Sequence, residues 1–454
     1  MCSNYLRIEM IRYIDLFAGL GGIRLGLEQA LADLGMDGEC VFTSEIKETA
    51  IRAYNYNFPD KKIEVTDVKK VECEEITPFN ILLGGFPCQA FSNAGSRKGF
   101  VDTRGTLFFD IQRILEAHIA HVDGFILENV EGLVTHDKNN KSDSIGRTLT
   151  IIMDVLNNQL DFNAKYYVLN SADFGVAQKR KRVYIVGCRK RYGDIDFTFQ
   201  TENHVGVGNL LEHGLPTIDN DFSHRLLAIR PANRLNGVKL KDKRGGETNI
   251  HSWELEIKGP VSEKQKRLLN ILLCERRKKK WAKIIGIDWM DGMPLNTEQI
   301  RSFFDVNNLQ KLLDDLTEKK YLFLEHPKQL VIHKEEDGST WTERVPDFQK
   351  PKGYNILTGK LSFEISSFLN VNEPSNTLVA MDMGTIGVVD GDGIRHLTLR
   401  EGLRLFGYPD SYSLEMFENE KEREIGYDLI GNSVCVPVIR EVAKKLLNKM
   451  YRGV

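Results

Sequence analysis

The residues able to do chemistry fall into a few short groups. Gly84-Gly85-Phe86-Pro87-Cys88-Gln89 follows an apolar run. Most buried cysteines are inert packing. A thiol in a loop after Gly-Gly and a rigid proline is instead placed where a nucleophile would sit. Ser92 and Gly95 continue a flexible polar loop that could close over a ligand. Glu128-Asn129-Val130 ends another apolar run, and its carboxyl is either an ordinary strand-end acid or a proton donor to a ring nitrogen. Gln178-Lys179-Arg180-Lys181-Arg182 precedes a further apolar run. Strand alternation points Arg180 and Arg182 to one side. Two guanidiniums there could hold a base carbonyl and a phosphate.

A second set of residues describes a ligand pocket. Asp15-Leu16-Phe17-Ala18-Gly19-Leu20-Gly21-Gly22 is a glycine-rich turn that lets backbone approach a ligand closely. A phosphate-binding loop would continue with Lys-Ser or Lys-Thr. Ile23-Arg24 follows here, which suits a ligand without phosphates. Phe17 can lie against a flat ring or a sulfonium cation. Glu45 is placed to accept from ribose hydroxyls and Asp67 from an adenine amino group. Together they describe a nucleoside such as S-adenosylmethionine.

Positioning these groups needs a sheet with its strand ends aligned. Ile11–Ile14, Val41–Thr43, Ile63–Val65, Phe79–Leu83 and Phe125–Leu127 are β-prone runs, as are Tyr166–Leu169 and Val183–Val186. Helical stripes separate them, in Ile23–Leu34, Leu107–Ile119 and Ile145–Leu156. The alternation predicts a parallel, doubly wound α/β sheet. Asp15, Glu45, Asp67, Gly84-Gly85 and Glu128-Asn129 each end a predicted strand, and open sheets of this class bind ligands there.

Past about Phe197 the pattern changes. Residues 198–260 are polar and glycine-rich without a clear period, and 261–325 read as helical through Leu268, Leu272, Ile300, Leu309 and Leu313. Residues 321–345 read as strands around an Asp337-Gly338 turn. This predicts a smaller mixed α/β domain, and the order helix, helix, hairpin fits a winged-helix-like unit. Val438, Ile439, Val442, Leu446 and Met450 predict a closing helix.

The 454 residues allow two or three cores, and 41% hydrophobic content allows a packed interior. No apolar run would span a bilayer and the start lacks a signal-peptide core, so a cytoplasmic protein with no membrane association is expected. Seven scattered cysteines argue against a disulfide framework and fit a reducing compartment. The net charge of −3 does not advertise a nucleic-acid partner. Its distribution does: Lys179–Arg191, Arg276–Lys280 and Arg225–Arg244 are basic clusters suited to phosphate contacts.

Taken together these residues resemble the C5-cytosine DNA methyltransferase family, of the bacterial restriction–modification type. The matching blocks run in order: Asp15–Gly22, Glu45, Asp67, Pro87-Cys88-Gln89, Asp102-Thr103-Arg104-Gly105-Thr106-Leu107, Glu128-Asn129-Val130 and Gln178-x-Arg180-x-Arg182. Arg400-Glu401-x-x-Arg404-Leu405-Phe406-Gly407-Tyr408-Pro409-Asp410 and Gly431-Asn432-Ser433-Val434 complete the set. The match covers about 1–190 and 395–454, with no departure at an essential position.

The resemblance implies a two-lobed enzyme with a cleft for double-stranded DNA. Residues 1–195 and 386–454 would form the Rossmann-like catalytic domain, and 196–385 the target-recognition domain. Asp15, Phe17, Gly19, Gly21, Gly22, Glu45, Ile46, Asp67, Val68, Leu107, Asn432 and Ser433 would bind S-adenosylmethionine, leaving S-adenosylhomocysteine as product. Catalysis would fall to Cys88, Glu128, Arg180 and Arg182, supported by Pro87 and Asn129. Gln89, Ser92, Arg104, Gln178 and Thr377 would meet DNA, Thr377-Leu378 resembling a dipeptide placed near the target base. In the mechanism so implied, Cys88 adds to C6 of a flipped cytosine while Glu128 assists at N3, and no metal is needed. A monomer is expected, with a cognate restriction endonuclease acting on the same site without a stable complex. An RNA target is the nearest rival, but the Cys-Phe-Thr tripeptide of such relatives is missing. A non-catalytic binding module would be expected to lose Pro87-Cys88 or Glu128-Asn129-Val130, and both are intact.

Overall fold

The structure, a computed structural model, describes residues 10–87, 107–138, 143–242, 249–334, 340–358 and 363–453. The chain divides into two compact units. One comprises Met1–Glu212, Asn370–Gly384 and Leu397–Val454; the other comprises His213–Leu369 and Thr385–His396.

The first unit opens with β1 (Ile11–Leu16), α1 (Gly22–Asp33), β2 (Gly38–Ser44), α2 (Glu48–Asn57) and β3 (Ile81–Gly84). It continues through α3 (Leu107–Ala117), β4 (Gly124–Val130), α4 (Arg147–Asp154), β5 (Phe162–Asn170), the short β6 (Gln178–Lys179) and β7 (Lys181–Arg189). Among the described residues, six strands form one sheet in the order β2-β1-β3-β4-β7-β5. All four residues of β3 are buried, as expected of a central strand covered on both faces. Leu82, Phe125, Leu127, Phe108, Ile111 and Leu149 join one core cluster. Each large apolar side chain there stabilises the fold by about 1.5–3 kcal/mol.

The doubly wound α/β class is the expected one, with two differences in detail. First, β7 runs antiparallel to both β4 and β5. The link between β5 and β7 is residues 171–180, too short for the dozen or more residues of a parallel crossover, so the chain returns antiparallel. Second, Ile63–Val65 is not a strand. The Asn55 side chain takes the place of a neighbouring strand: its amide donates to the Ile63 carbonyl at 2.8 Å and its oxygen accepts from the Ile63 N–H at 2.7 Å. One backbone bond, from Thr66 N–H to the Glu45 carbonyl at 2.8 Å, still holds this segment beside the end of β2.

Among the described residues the second unit has two core clusters. Helices α5 (Asp221–Ile229), α6 (Glu263–Glu275), α7 (Lys279–Ile285), α8 (Thr297–Arg301) and α9 (Leu309–Glu318) supply its helical part. Leu268, Leu272, Ile300, Leu309 and Leu313 are fully buried together with Trp253. Helix α5 lies in the stretch without a clear period; Asn220 and Ser223 form its capping box. The helical stretch expected over 261–325 holds α6 to α9, and Lys328–Lys334 pairs antiparallel with Thr340–Pro346 as a hairpin. The residues around the predicted Asp337-Gly338 turn lie outside the described set.

The return segment carries α10 (Leu399–Arg404), α11 (Arg423–Gly431) and α12 (Val436–Tyr451). The stripe Val438, Ile439, Val442, Ala443, Leu446, Leu447 and Met450 is buried. A side chain at Gly26 of α1 would come within 2.5 Å of Ile439, so glycine is what lets these helices touch. Arg440 and Asp33 tie the same pair with bonds of 2.7 and 2.8 Å. Residues 196–212 and 370–384, assigned from sequence to the middle domain, cluster with the first unit. Phe197 packs on Tyr167 and Phe199 on Phe174, while Ser375-Asn376 pairs with β6. No helix among the described residues is long and apolar enough to cross a membrane.

Candidate active site

Register decides which residues share the upper edge of the sheet. Leu16 lies opposite both Ser44 and Gly84, and Gly84 opposite Leu127. The next residues on these strands, Phe17, Glu45, Gly85 and Glu128, therefore emerge side by side. A Cβ on Gly85 would lie 3.9 Å from Glu128 Oε2. Because β7 is antiparallel, its beginning lies at this same edge, with Arg182 opposite Val130. Cys88, Gln89, Ser92 and Arg104 lie outside the described residues. Pro87, just before them, is exposed, and the Asn129 amide donates to the Phe86 carbonyl at 3.1 Å, fixing that loop's start to β4.

The glycine turn is built around a carboxylate that ties two loops together. Glu45 Oε2 accepts from the Gly19 N–H at 2.8 Å, and its Oε1 accepts from Ile46 and Lys47 at 2.8 and 2.9 Å. A carboxylate has about four lone-pair positions, so one remains for a ligand hydroxyl. Phe17 has φ 57°, in the left-handed region where a bulky residue costs about 1–3 kcal/mol. Such strain persists only where surrounding structure imposes it. Here the Tyr412 hydroxyl donates to the Leu20 carbonyl at 2.6 Å, and Gly22 lies so close to Tyr408 that a Cβ would overlap its hydroxyl. The buried Ser433 hydroxyl bonds to the same Tyr408, whereas Asn432 is exposed and its amide donates to the Asp428 carbonyl at 2.9 Å. Ile46 is exposed and Val68 buried. Asp67 caps the turn at Val68–Lys70, and Arg113 of α3 brackets that turn by donating to the Val68 and Val71 carbonyls at 2.9 and 2.8 Å. Leu107 begins α3 and is half-buried. Arg24 does not face a ligand: it donates to Glu28 and Tyr54 and lies over the Phe58 ring.

Asp15 is 1% exposed, and neither carboxylate oxygen has a hydrogen-bond partner among the described residues. Burial pushes its carboxyl up to about 8 against the opposing pull of Arg24, with Glu28 and Glu45 adding to the rise. The folded chain therefore keeps a proton that the unfolded chain, with an aspartate pKa of about 3.9, releases. Asp15 thus makes stability fall as pH rises from about 4 to about 8, by about 1.4 kcal/mol per unit, and the loss levels off above that. Asp15→Asn should remove this slope. Thermal melts of variant and parent should agree near about pH 4 and diverge by about pH 9, with the variant the more stable. Equal melting temperatures throughout would show that Asp15 is not the group responsible.

At the other end of the crevice, Arg182 Nε lies 3.2 Å from Glu128 Oε1, both side chains being largely buried. They are diagonal neighbours across β4 and β7, within reach for long side chains. Burial raises the Glu128 pKa, and this outweighs the opposing effects of Arg182 and Arg180. The carboxyl thus holds its proton to higher pH than an ordinary glutamate.

Arg180 does not share this side. The strand breaks between β6 and β7, so alternation does not carry through it. Its guanidinium turns inward, 3% exposed, and donates to the Leu378, Gly431 and Ser433 carbonyls at 2.9, 3.0 and 2.8 Å above the Phe406 ring. Burial lowers its pKa to about 10. Three of its N–H groups are thus committed to backbone carbonyls and its Nε is buried without a partner among the described residues, so Arg180 presents no exposed group to a base carbonyl or a phosphate. Gln178 is corrected for the same reason: it is fully buried, donates to the Leu405 carbonyl at 2.9 Å and accepts from the Leu378 N–H at 3.1 Å, so it has no face for DNA. Arg180→Met would strand three buried carbonyls and should cost about 3–5 kcal/mol. Urea unfolding checks this: a midpoint equal to the parent's would contradict the clamp.

A cavity of about 440 Å³ opens beside this pair, lined among others by Glu131, Asn170, Lys179, Lys181, Arg182 and Thr377. Thr377 is exposed, and its hydroxyl donates to the Lys179 carbonyl at 2.8 Å. The sequence motifs bring Arg182 and Thr377 to this wall, with Glu128 paired to Arg182, and Asp15, Phe17, Glu45 and Asp67 to the glycine-turn end. The clamp by Arg180 and the brace by Arg113 were not legible, since both act on backbone carbonyls that carry no side-chain signature.

Comparisons with known proteins bear on the family and the fold. The description of the family "C-5 cytosine-specific DNA methylase" matches residues 11–448. The chain is 52% identical over 443 residues to the type II methyltransferase M.NlaIV of Neisseria lactamica, covering 98% of this chain and 100% of that protein. It is 36% identical over 461 residues to the type II methyltransferase M.BanI of Aneurinibacillus aneurinilyticus, covering 96% and 95%. Among solved structures, a mutant of Spodoptera frugiperda DNMT2 superimposes with a TM-score of 0.50 at 15% identity, covering 96% of this chain and 99% of that one. The Entamoeba histolytica methyltransferase EhMeth gives a TM-score of 0.50 at 14% identity, covering 97% and 98%. At these identities the two structures speak for the fold alone.

Proposed function

The chain belongs to the C-5 cytosine-specific DNA methylase family, and we propose that it transfers a methyl group from S-adenosylmethionine to carbon 5 of a cytosine lifted out of a short duplex DNA sequence, with Cys88 as the nucleophile. The observation that carries this reading is the buried Glu128 carboxyl, held by Arg182 at the strand edge where the Gly85-Phe86-Pro87 loop begins. An acid whose pKa burial raises, next to that loop, is suited to donate to a ring nitrogen during addition to a pyrimidine.

The glycine-turn end suits the proposed cofactor. Asp15 is a buried acid without a hydrogen-bond partner, Glu45 has an acceptor position to spare, and neither loop offers a lysine–serine phosphate cradle. The spare acceptor position on Glu45 and the missing phosphate cradle favour a nucleoside without phosphates. S-adenosylmethionine would supply an electrophilic methyl group and leave as S-adenosylhomocysteine. Asp15, Glu45 and Asp67 would hold it, with Phe17, Gly19, Gly21, Gly22, Ile46, Val68, Leu107, Asn432 and Ser433 around it.

The chain's own residues then act on the base. The Cys88 thiolate forms a bond to C6, the C5–C6 electrons move toward N3, and Glu128 delivers its proton to N3. This makes C5 nucleophilic. After C5 is methylated, its proton leaves to a base, the bond from C6 to Cys88 breaks, and the N3 proton returns to Glu128. The thiolate and the carboxyl are regenerated, and the C5 proton is the one released to the base. The base must leave the duplex first, because stacking covers both ring faces, at a cost of a few kcal/mol.

We assign DNA-site recognition to the second unit and modification within a restriction–modification pair to the whole chain. The type II methyltransferases it resembles align over nearly their full length. A cognate endonuclease would read the same site without a stable complex, and a monomer would suffice. Transfer of labelled methyl from S-adenosylmethionine to duplex DNA or to tRNA tests the substrate. Incorporation into DNA alone is expected; incorporation into tRNA alone would overturn the reading.

A further inference from the structure

The cavity beside Glu128 holds two cations that the chemistry above leaves unused. Of its charged lining, Arg182 is engaged with Glu128, and Glu131 is an acid. Lys179 and Lys181 line the same concavity, and neither ammonium group has an ion-pair or hydrogen-bond partner among the described residues. Lysines on a loose surface would simply be solvated, but the backbone under these two is fixed. Thr377 bonds to the Lys179 carbonyl at 2.8 Å, Arg182 to the Lys181 carbonyl at 2.9 Å, and between them the buried Arg180 makes its three bonds. Two exposed ammonium groups without an ion-pair partner among the described residues are thus carried on hydrogen-bonded backbone at the wall of a cavity of about 440 Å³ that Glu131 also lines. Sites for small ligands span about 300–1,000 Å³, so a phosphate and its sugar fit.

We infer that Lys179 and Lys181 each hold a backbone phosphate of the DNA strand next to the reacting nucleotide. The inference rests on the DNA reading above and gives these lysines the phosphate contact that Arg180 cannot make. Lysine suits it as a point charge that positions a strand without reading sequence.

The test is the salt dependence of duplex binding, read by fluorescence anisotropy from about 50 to 200 mM KCl. The parent is measured with Lys179→Gln, Lys181→Gln and the double variant, on one duplex carrying the methylated site and one lacking it. A thermal melt matching the parent's establishes that each variant is folded. Each single substitution should make the slope of log K against log salt shallower by about 1, and the double by about 2. The change should be equal on both duplexes, and Lys181→Arg should keep the parent's slope. Parent-like slopes in the double variant would overturn the phosphate contacts while leaving the methyltransferase reading intact. A parent that bound no duplex would instead overturn the DNA reading beneath them.

Discussion

Cys88→Ser should abolish methyl transfer to DNA, a loss of at least about 10⁴-fold in single-turnover rate, while S-adenosylmethionine binding survives. The substitution changes one atom, and the loss would come from ionisation. A thiol with a pKa of about 8.5 is partly thiolate at neutral pH, and nearby positive charge lowers it further. A serine hydroxyl stays protonated and cannot add to C6 without a strong base. The proposed cofactor residues, Asp15, Glu45 and Asp67, lie on or after the other strands and near β2, so the variant should titrate with the cofactor as the parent does. Measurable turnover by the serine variant would sink the covalent route. Loss of cofactor binding together with turnover would mean that the substitution had damaged the fold.

Glu128→Gln should slow the chemical step by about 10²–10⁴-fold with little change in DNA affinity. Glutamine matches the size of glutamate and can still accept from Arg182, but it has no proton to transfer to N3. The pH dependence is the more specific readout. Because burial raises the Glu128 pKa, the protonated and active form persists above the ordinary glutamate range and is lost as pH rises through the raised value. Cys88 needs the opposite change, from thiol to thiolate. Parent kcat/KM against pH should therefore be bell-shaped, and the glutamine variant should lose the alkaline limb that Glu128 contributes. An unchanged single-turnover rate would remove Glu128 from the chemistry.

Much of this was legible in the sequence because it rests on local periodicity. The stripes of α1, α3 and α12 and the strand ends carrying Asp15, Glu45, Gly85 and Glu128 follow directly from residue spacing. What was not legible depended on partners distant in sequence. Ile63–Val65 has strand composition, yet Asn55 occupies its backbone groups. Arg180 and Arg182 have strand spacing, but parity predicts a shared side only along an unbroken strand, and this one breaks at Arg180. Gln178 has the polarity of a DNA contact, but its amide is consumed by the backbone at Leu405 and Leu378. Helix α5 is marked only by its Asn220–Ser223 cap, a shorter signal than a hydrophobic stripe. Cys88, the residue on which the mechanism turns, rests on its motif, since it lies outside the described residues.

The most direct measurement is bisulfite sequencing of DNA from a host expressing this chain beside a host expressing Cys88→Ser. Protection of cytosine at one short motif, present with Cys88 and absent with serine, is the predicted result. It would identify the reaction, the nucleophile and the recognised site together. DNA with no protected cytosine in either host, or equal protection in both, would contradict the account.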